Sequence, residues 1–82
     1  MNASTIEHTI FGLLAQRRAG ATICPSEVAR ALAPDGGAWH HHMPQIREVA
    51  QRLADNGRMV VTRGGAPVDA NSRGGPIRLG RP

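Results

Sequence analysis

The hydrophobic pattern of this chain changes from helical to alternating after Asn56-Gly57, and this change limits the folds open to it. Up to that dipeptide, apolar residues recur three and four positions apart. The segment after it, residues 58–63, is rich in β-branched residues and alternates in the manner of a strand. We therefore expect helices before residue 57 and β-strands after it.

The first of three predicted helices starts near Ser4, which can form a capping box with Glu7. It is expected to end at Gly20, with Arg17 and Arg18 in its last turn. Its apolar stripe comprises Ile6, Ile10, Leu13 and Leu14.

The second helix is expected to begin at Pro25, because proline suits the first helical position. Glu27 can then reach back to Cys24 as the capping residue. The third helix is predicted to follow a glycine-containing loop, with Pro44 near its first turn and Asn56-Gly57 as its stop. Its apolar positions are Ile46, Val49, Ala50 and Leu53.

Two strands are predicted after the helices, over residues 58–63 and 76–79. Residues 64–75, rich in glycine, are expected to be a loop. Pro76 at the start of the second strand is compatible with a sheet edge. A brief extended piece at Thr22-Ile23 is long enough to pair with this hairpin as a third strand.

These elements predict an α+β fold, a winged helix with a three-helix helix-turn-helix core and a C-terminal hairpin as the wing. A chain of 82 residues holds one core, so we expect a single domain over residues 1–82. Residues 1–3 and 81–82 are expected to be disordered ends.

Several segments together resemble a family of small bacterial proteins, a domain of unknown function that is similar to winged-helix domains. The segments that carry the resemblance are residues 23–30, Trp39, Met43-Pro44, residues 65–69 and residues 75–79. The resemblance spans about residues 6–79 and implies the winged-helix fold, but no catalytic residue. The run His40-His41-His42 departs from the family pattern, so the resemblance implies no family-wide role for these histidines.

The formal charge of +4 lies in residues 58–82, where five arginines face only Asp69. A local basic field attracts polyanions. The alternative interpretation is that these arginines belong to an ordinary surface that keeps the protein soluble. In a winged helix, the third helix can enter the major groove of double-stranded DNA while the wing contacts the backbone. The candidate DNA-binding residues are Gln45, Arg47, Gln51 and Arg52 on the third helix, and Arg58, Arg63, Arg73 and Arg78 on or near the wing.

Other interpretations remain open for these residues. Glu48 and Arg52 are spaced to pair with each other, which would leave the outer face of the third helix simply solvated. The second hypothesis for function is therefore a protein-interaction module of unknown partner, since fold does not fix function. No catalytic set is visible and the chain is small, so we expect no enzyme, no catalytic residue and no cofactor.

Three further features have competing interpretations. Consecutive histidines at 40–42 do not converge as metal ligands require, so no metal is predicted. Cys24 at a helix start is either a reactive thiol or a small packing residue. Trp39 is expected to be a core anchor between the second and third helices.

With one cysteine and no apolar run that could cross a bilayer, we expect a cytoplasmic protein that does not bind membranes.

Overall fold

The computed structural model describes residues 2–82 and has an α+β architecture of three α-helices and a four-stranded antiparallel sheet. The helices are α1 (Ala3–Ala15), α2 (Pro25–Leu32) and α3 (Met43–Asp55), and the strands are β1 (Thr22–Ile23), β2 (Val60–Arg63), β3 (Ala66–Pro67) and β4 (Arg78–Gly80). A short 3-10 helix, Trp39–His42, leads into α3. The predicted change from helices to strands after Asn56-Gly57 is confirmed.

The strands lie in the order β1-β4-β2-β3. The predicted third strand at Thr22-Ile23 is confirmed, and it pairs with β4 through Thr22 opposite Gly80. β4 is therefore an interior strand with β2 on its other side. The edge position with which Pro76 is compatible is not the one observed. Pro76 itself precedes the strand, where it removes no ladder hydrogen bond.

The prediction that residues 64–75 form one loop is also wrong. Gly64 and Gly65 have φ angles of +58° and +85°, which a two-residue hairpin turn requires. The turn folds β3 back on β2, with Thr62 opposite Pro67. Of residues 64–77, those after β3 are irregular. Residues 70–77, here called the 70–77 segment, lie close to the N-terminal part of α2 and to α3.

The core lies between the helices and one face of the sheet, and each helix contributes the face that its apolar spacing predicts. Met59 and Val61 share the buried side of the β2 region, as their alternation predicts. Burying one aliphatic side chain contributes about 1.5–3 kcal/mol. The largest fully buried side chains are Ile6, Ile10, Leu14, Ile23, Pro25, Val28, Ile46 and Leu79.

The predicted boundaries of α1 are wrong at both ends. The helix is capped by Asn2, whose Oδ1 accepts a hydrogen bond from the Thr5 N–H at 2.8 Å, so Ser4 lies inside the first turn. Asn2 is thus the N-cap and Ala3 the first residue of α1, while Met1 lies outside the described residues. The helix ends at Ala15, so Arg17 lies beyond it.

The predicted start of α2 is confirmed. Glu27 Oε2 accepts a hydrogen bond from the Cys24 N–H at 2.7 Å, and Oε1 of the same carboxylate pairs with Arg17 at 2.7 Å. This ion pair joins the turn after α1 to the first turn of α2.

Among residues 2–82, no helix combines the length and apolar character that crossing a membrane requires.

Candidate nucleic-acid interface

A groove of about 470 Å³ separates the N-terminal ends of α2 and α3 from the 70–77 segment. It brings together three of the eight predicted DNA-binding residues from three different elements: Arg47 of α3, Arg63 of β2 and Arg73 of the 70–77 segment. The rest of its lining is Cys24, Pro25, Met43, Ala70, Asn71, Ser72, Gly74, Gly75, Pro76 and Ile77.

Arg63 is occupied with holding the 70–77 segment. Its Nε donates to the Gly75 carbonyl oxygen at 2.9 Å, and Nη2 donates to the Ser72 carbonyl oxygen at 3.1 Å. Nη1 donates to Ser72 Oγ at 3.1 Å and to the Arg73 carbonyl oxygen at 3.2 Å. The guanidinium group keeps its charge at the groove, but its N–H groups are already directed at the protein's own backbone.

Gln51 attaches the other end of the same segment to α3. Its Oε1 accepts a hydrogen bond from the Ala70 N–H at 2.7 Å, and its Nε2 donates to Asp55 Oδ1 at 2.8 Å. The chain then turns at Asp69, which accepts hydrogen bonds from the Asn71 N–H and from Ser72. The segment is therefore fixed against α3 at its start and against β2 near its end.

Two more of the predicted arginines also have internal partners. Arg78 donates from Nε to Thr22 Oγ1 and from Nη2 to the Thr22 carbonyl oxygen, both at 2.9 Å, and so joins β4 to β1. Arg58 pairs with Glu7 at 2.6 Å, and its guanidinium carbon lies 5.3 Å from the centroid of the Phe11 ring. Neither residue lines the groove.

Arg47, Arg52 and Arg73 differ from the other predicted arginines, because within residues 2–82 they make no hydrogen bond or ion pair through their side chains. Arg47 is half-buried and Arg73 is exposed, and both line the groove. Arg52 is exposed on α3 and does not line it. Gln45, the remaining predicted residue, is half-buried near the start of α3.

The exposed face of α3 is not basic. Its exposed charged side chains are Glu48, Arg52 and Asp55, two acids and one arginine. The possible pair of Glu48 with Arg52 does not form in the described part of the chain. Positive charge is therefore concentrated at the groove, where Arg47 of α3 lies with Arg63 and Arg73, and not on the exposed face of α3.

The other candidate residues lie away from a common site. His40 and His41 are exposed in the 3-10 helix, and residues 2–82 contain no cluster of three potential metal ligands. Trp39 contacts the core, as expected of an anchor residue, but it is only half-buried and so is not itself a core residue. Its ring stacks on His40 at 3.6 Å, and the guanidinium carbon of Arg30 lies 4.7 Å from its centroid.

Sequence reasoning missed the part of this site that the backbone of the 70–77 segment supplies. Ser72 and Gly75 accept hydrogen bonds from Arg63, although neither is predicted as its partner: Gly75 is expected, with Gly64, Gly65 and Gly74, only to allow a close approach of the backbone to DNA. The available signal was Gly64-Gly65, because a two-residue turn there ends the hairpin early and leaves residues 70–77 free to fold back toward α3.

Comparison with known proteins identifies the family but adds no activity. The model of a family described as "Protein of unknown function (DUF3253)" matches residues 3–82. No curated protein matches the chain.

Proposed function

This chain belongs to the DUF3253 family, and because that description names no function, we propose one from the site: double-stranded DNA binding by a winged helix, chiefly through phosphate contacts. The single observation that carries the proposal is the pair Arg47 and Arg73, two guanidinium groups that line one groove and have no partner within residues 2–82. Arg52 is the third contact that we propose, on the exposed side of α3.

The order of elements supports a winged helix. A helix, a short strand and two further helices precede the remaining strands, and β1 pairs with β4 to close the sheet. In this interpretation α3 is the helix that faces DNA and the β2–β3 hairpin is the wing. The turn of the hairpin, Gly64-Gly65, carries no side chain and would allow a close approach of the DNA backbone.

The charges favour phosphate contact over base reading. An arginine fork donates two parallel hydrogen bonds to a phosphate and forms a strong, charge-assisted contact. The exposed face of α3 carries Glu48 and Asp55, which would face the negative backbone of a duplex if the helix inserted deeply. We therefore propose weak, salt-dependent binding with little sequence preference.

The remaining predicted residues have supporting roles in this proposal. Arg63 and Gln51 hold the 70–77 segment, and with it Arg73, in place beside α3. Arg78 joins β1 to β4, and Arg58 joins the start of the strands to α1. Substituting any of these four would weaken DNA binding through the fold and not through a lost phosphate contact.

The test is a fluorescence anisotropy titration of a mixed-sequence duplex at several salt concentrations. The double variant R47Q/R73Q is expected to reduce the slope of log affinity against log salt by about 2, since each phosphate contact contributes about 0.9. The matched control is R18Q/R81Q, which removes two exposed arginines that do not line the groove.

The control isolates position from net charge, because both double variants lose the same two positive charges. An equal fall in DNA affinity for both double variants would show that only the total charge of the protein matters, and it would contradict the proposed site. Absence of binding by the unmodified protein even at low salt would reject DNA as the partner.

A further inference from the structure

We propose that the groove is also a binding site for a small organic phosphate monoester, with Arg47 and Arg73 holding the phosphate and the apolar lining contacting the organic part. This inference goes beyond DNA binding and does not depend on it. It rests on the size of the groove, on the sign of its charge and on the apolar residues that line it.

The groove has the dimensions of a small-molecule site. Its volume of about 470 Å³ lies within the range of about 300–1,000 Å³ that is typical of ligand pockets. It forms where three elements meet, and hydrogen bonds from Arg63 and Gln51 fix the segment that makes one wall. Because the wall is held before any ligand arrives, little ordering would be required on binding.

The charge of the groove favours a dianion. Arg47, Arg63 and Arg73 line it, and among the residues that the structure describes no aspartate or glutamate does. Arg63 directs its N–H groups at the backbone, so it contributes charge, while the side-chain donors of Arg47 and Arg73 have no partner within residues 2–82. A phosphate monoester carries about −1.5 to −2 charges at neutral pH and offers three acceptor oxygens, which suits two guanidinium forks better than a monoanionic carboxylate does.

The rest of the lining favours an organic group on the phosphate. Met43 is half-buried and Pro76 is exposed, so their apolar side chains are accessible from the groove. Pro25, Ala70 and Ile77 also line the groove but are buried and expose little surface. Contact of an organic group with Met43 and Pro76 would remove apolar surface from water, which inorganic phosphate cannot do.

The test uses the full chain and four probes: phenyl phosphate, inorganic phosphate, benzoate and phenol. Each is titrated into isotopically labelled protein, and the backbone amide shifts are followed by NMR. We expect saturable shifts in residues 70–77 and near Arg47 with phenyl phosphate, binding about tenfold weaker with inorganic phosphate, weaker binding with benzoate, and none with phenol.

Matched variants assign the site. R47Q and R73Q are each expected to weaken phenyl phosphate binding about tenfold, whereas R18Q, which removes an exposed arginine outside the groove, is expected to leave it within about twofold. The amide spectra of the variants also show whether each one is folded. Benzoate or phenol binding as tightly as phenyl phosphate, equal effects of R47Q and R18Q, or shifts that never saturate would each overturn the inference.

A separate arm distinguishes a free phosphate monoester from a DNA phosphate. Binding of phenyl phosphate without binding of duplex DNA would support the groove and reject the function proposed above. Binding of duplex DNA without binding of phenyl phosphate would do the reverse. If both bind, phenyl phosphate is expected to displace DNA from the protein, because Arg47 and Arg73 belong to both sites.

Discussion

The Arg63 guanidinium lies so close to Gly74 that a Cβ on Gly74 would be only 2.9 Å from Arg63 Cζ. Gly74 also has a φ of +140°, a conformation that residues with side chains rarely adopt. The neighbouring Gly75 differs, because a Cβ there would meet no atom within 4 Å. Position 74 therefore requires glycine for two separate reasons.

Substituting Gly74 with alanine is expected to destabilise the protein by about 1–3 kcal/mol, from backbone strain together with the clash against Arg63. The measurement is the free energy of unfolding in urea. G75A is the control and is expected to cost less than about 1 kcal/mol. Equal losses for the two variants would contradict the special position of Gly74.

A double-mutant cycle separates the two causes. In the R63A background the clash is absent, so G74A is expected to cost less there, and only the part due to φ should remain. Purely additive effects of the two substitutions would show that Gly74 and Arg63 do not interact.

Substituting Arg63 with lysine is expected to cost about 1–2 kcal/mol, because an ammonium group cannot reproduce the fork that reaches Ser72, Arg73 and Gly75 together. Amide hydrogen exchange should accelerate in residues 70–77 and stay unchanged in α1. R52K serves as the control, since Arg52 makes no such bonds in residues 2–82. A stable R63K protein with unchanged exchange would argue against this role.

Gln51 is expected to stabilise the fold mainly through its acceptor oxygen. Q51A leaves the N–H of the buried Ala70 without its partner and is expected to cost about 1–2 kcal/mol. Q51E keeps an acceptor for the Ala70 N–H but loses the hydrogen bond to Asp55 and adds a like charge beside it. Because Asp55 is exposed and can turn away, the expected cost is about 0.5–1 kcal/mol. Thermal unfolding of both variants tests this order, and Q51E as unstable as Q51A would contradict it.

Leu79 is the fully buried side chain of the interior strand β4. L79A is expected to lose about 2–5 kcal/mol, the range for a leucine removed from a packed core. R81A, on an exposed side chain two residues later, should stay within about 0.5 kcal/mol of the unmodified protein. Urea denaturation of both variants measures the difference, and similar midpoints would place the core elsewhere.

The features that could be predicted from the sequence are those that depend on local spacing. The apolar periods of α1 and α3, the alternation around Val61 and the cap of α2 by Glu27 all follow from residues a few positions apart. The start of α1 was missed because Asn2 and Ser4 are both good caps, and spacing alone does not choose between them.

The candidate site was less predictable because it depends on contacts between distant segments. The arginines were recognised as a basic group, but their partners are set by how the chain folds back. Arg63 bonds to residues 9–12 positions away and Gln51 to one 19 positions away, neither of which a periodic pattern reveals. Only the structure separates Arg47 and Arg73, which have no partners in residues 2–82, from the arginines that the fold itself uses.

The interior place of β4 has a consequence for the order of folding. β1 contacts the sheet only through this strand, and the Arg78–Thr22 bonds beside it span 56 positions. Contacts of such high sequence separation form slowly because a long loop must close first. During synthesis the three helices leave the ribosome before β4 does, so the sheet stays incomplete, and Ile23 lacks its paired neighbour Leu79, until residues 78–80 emerge.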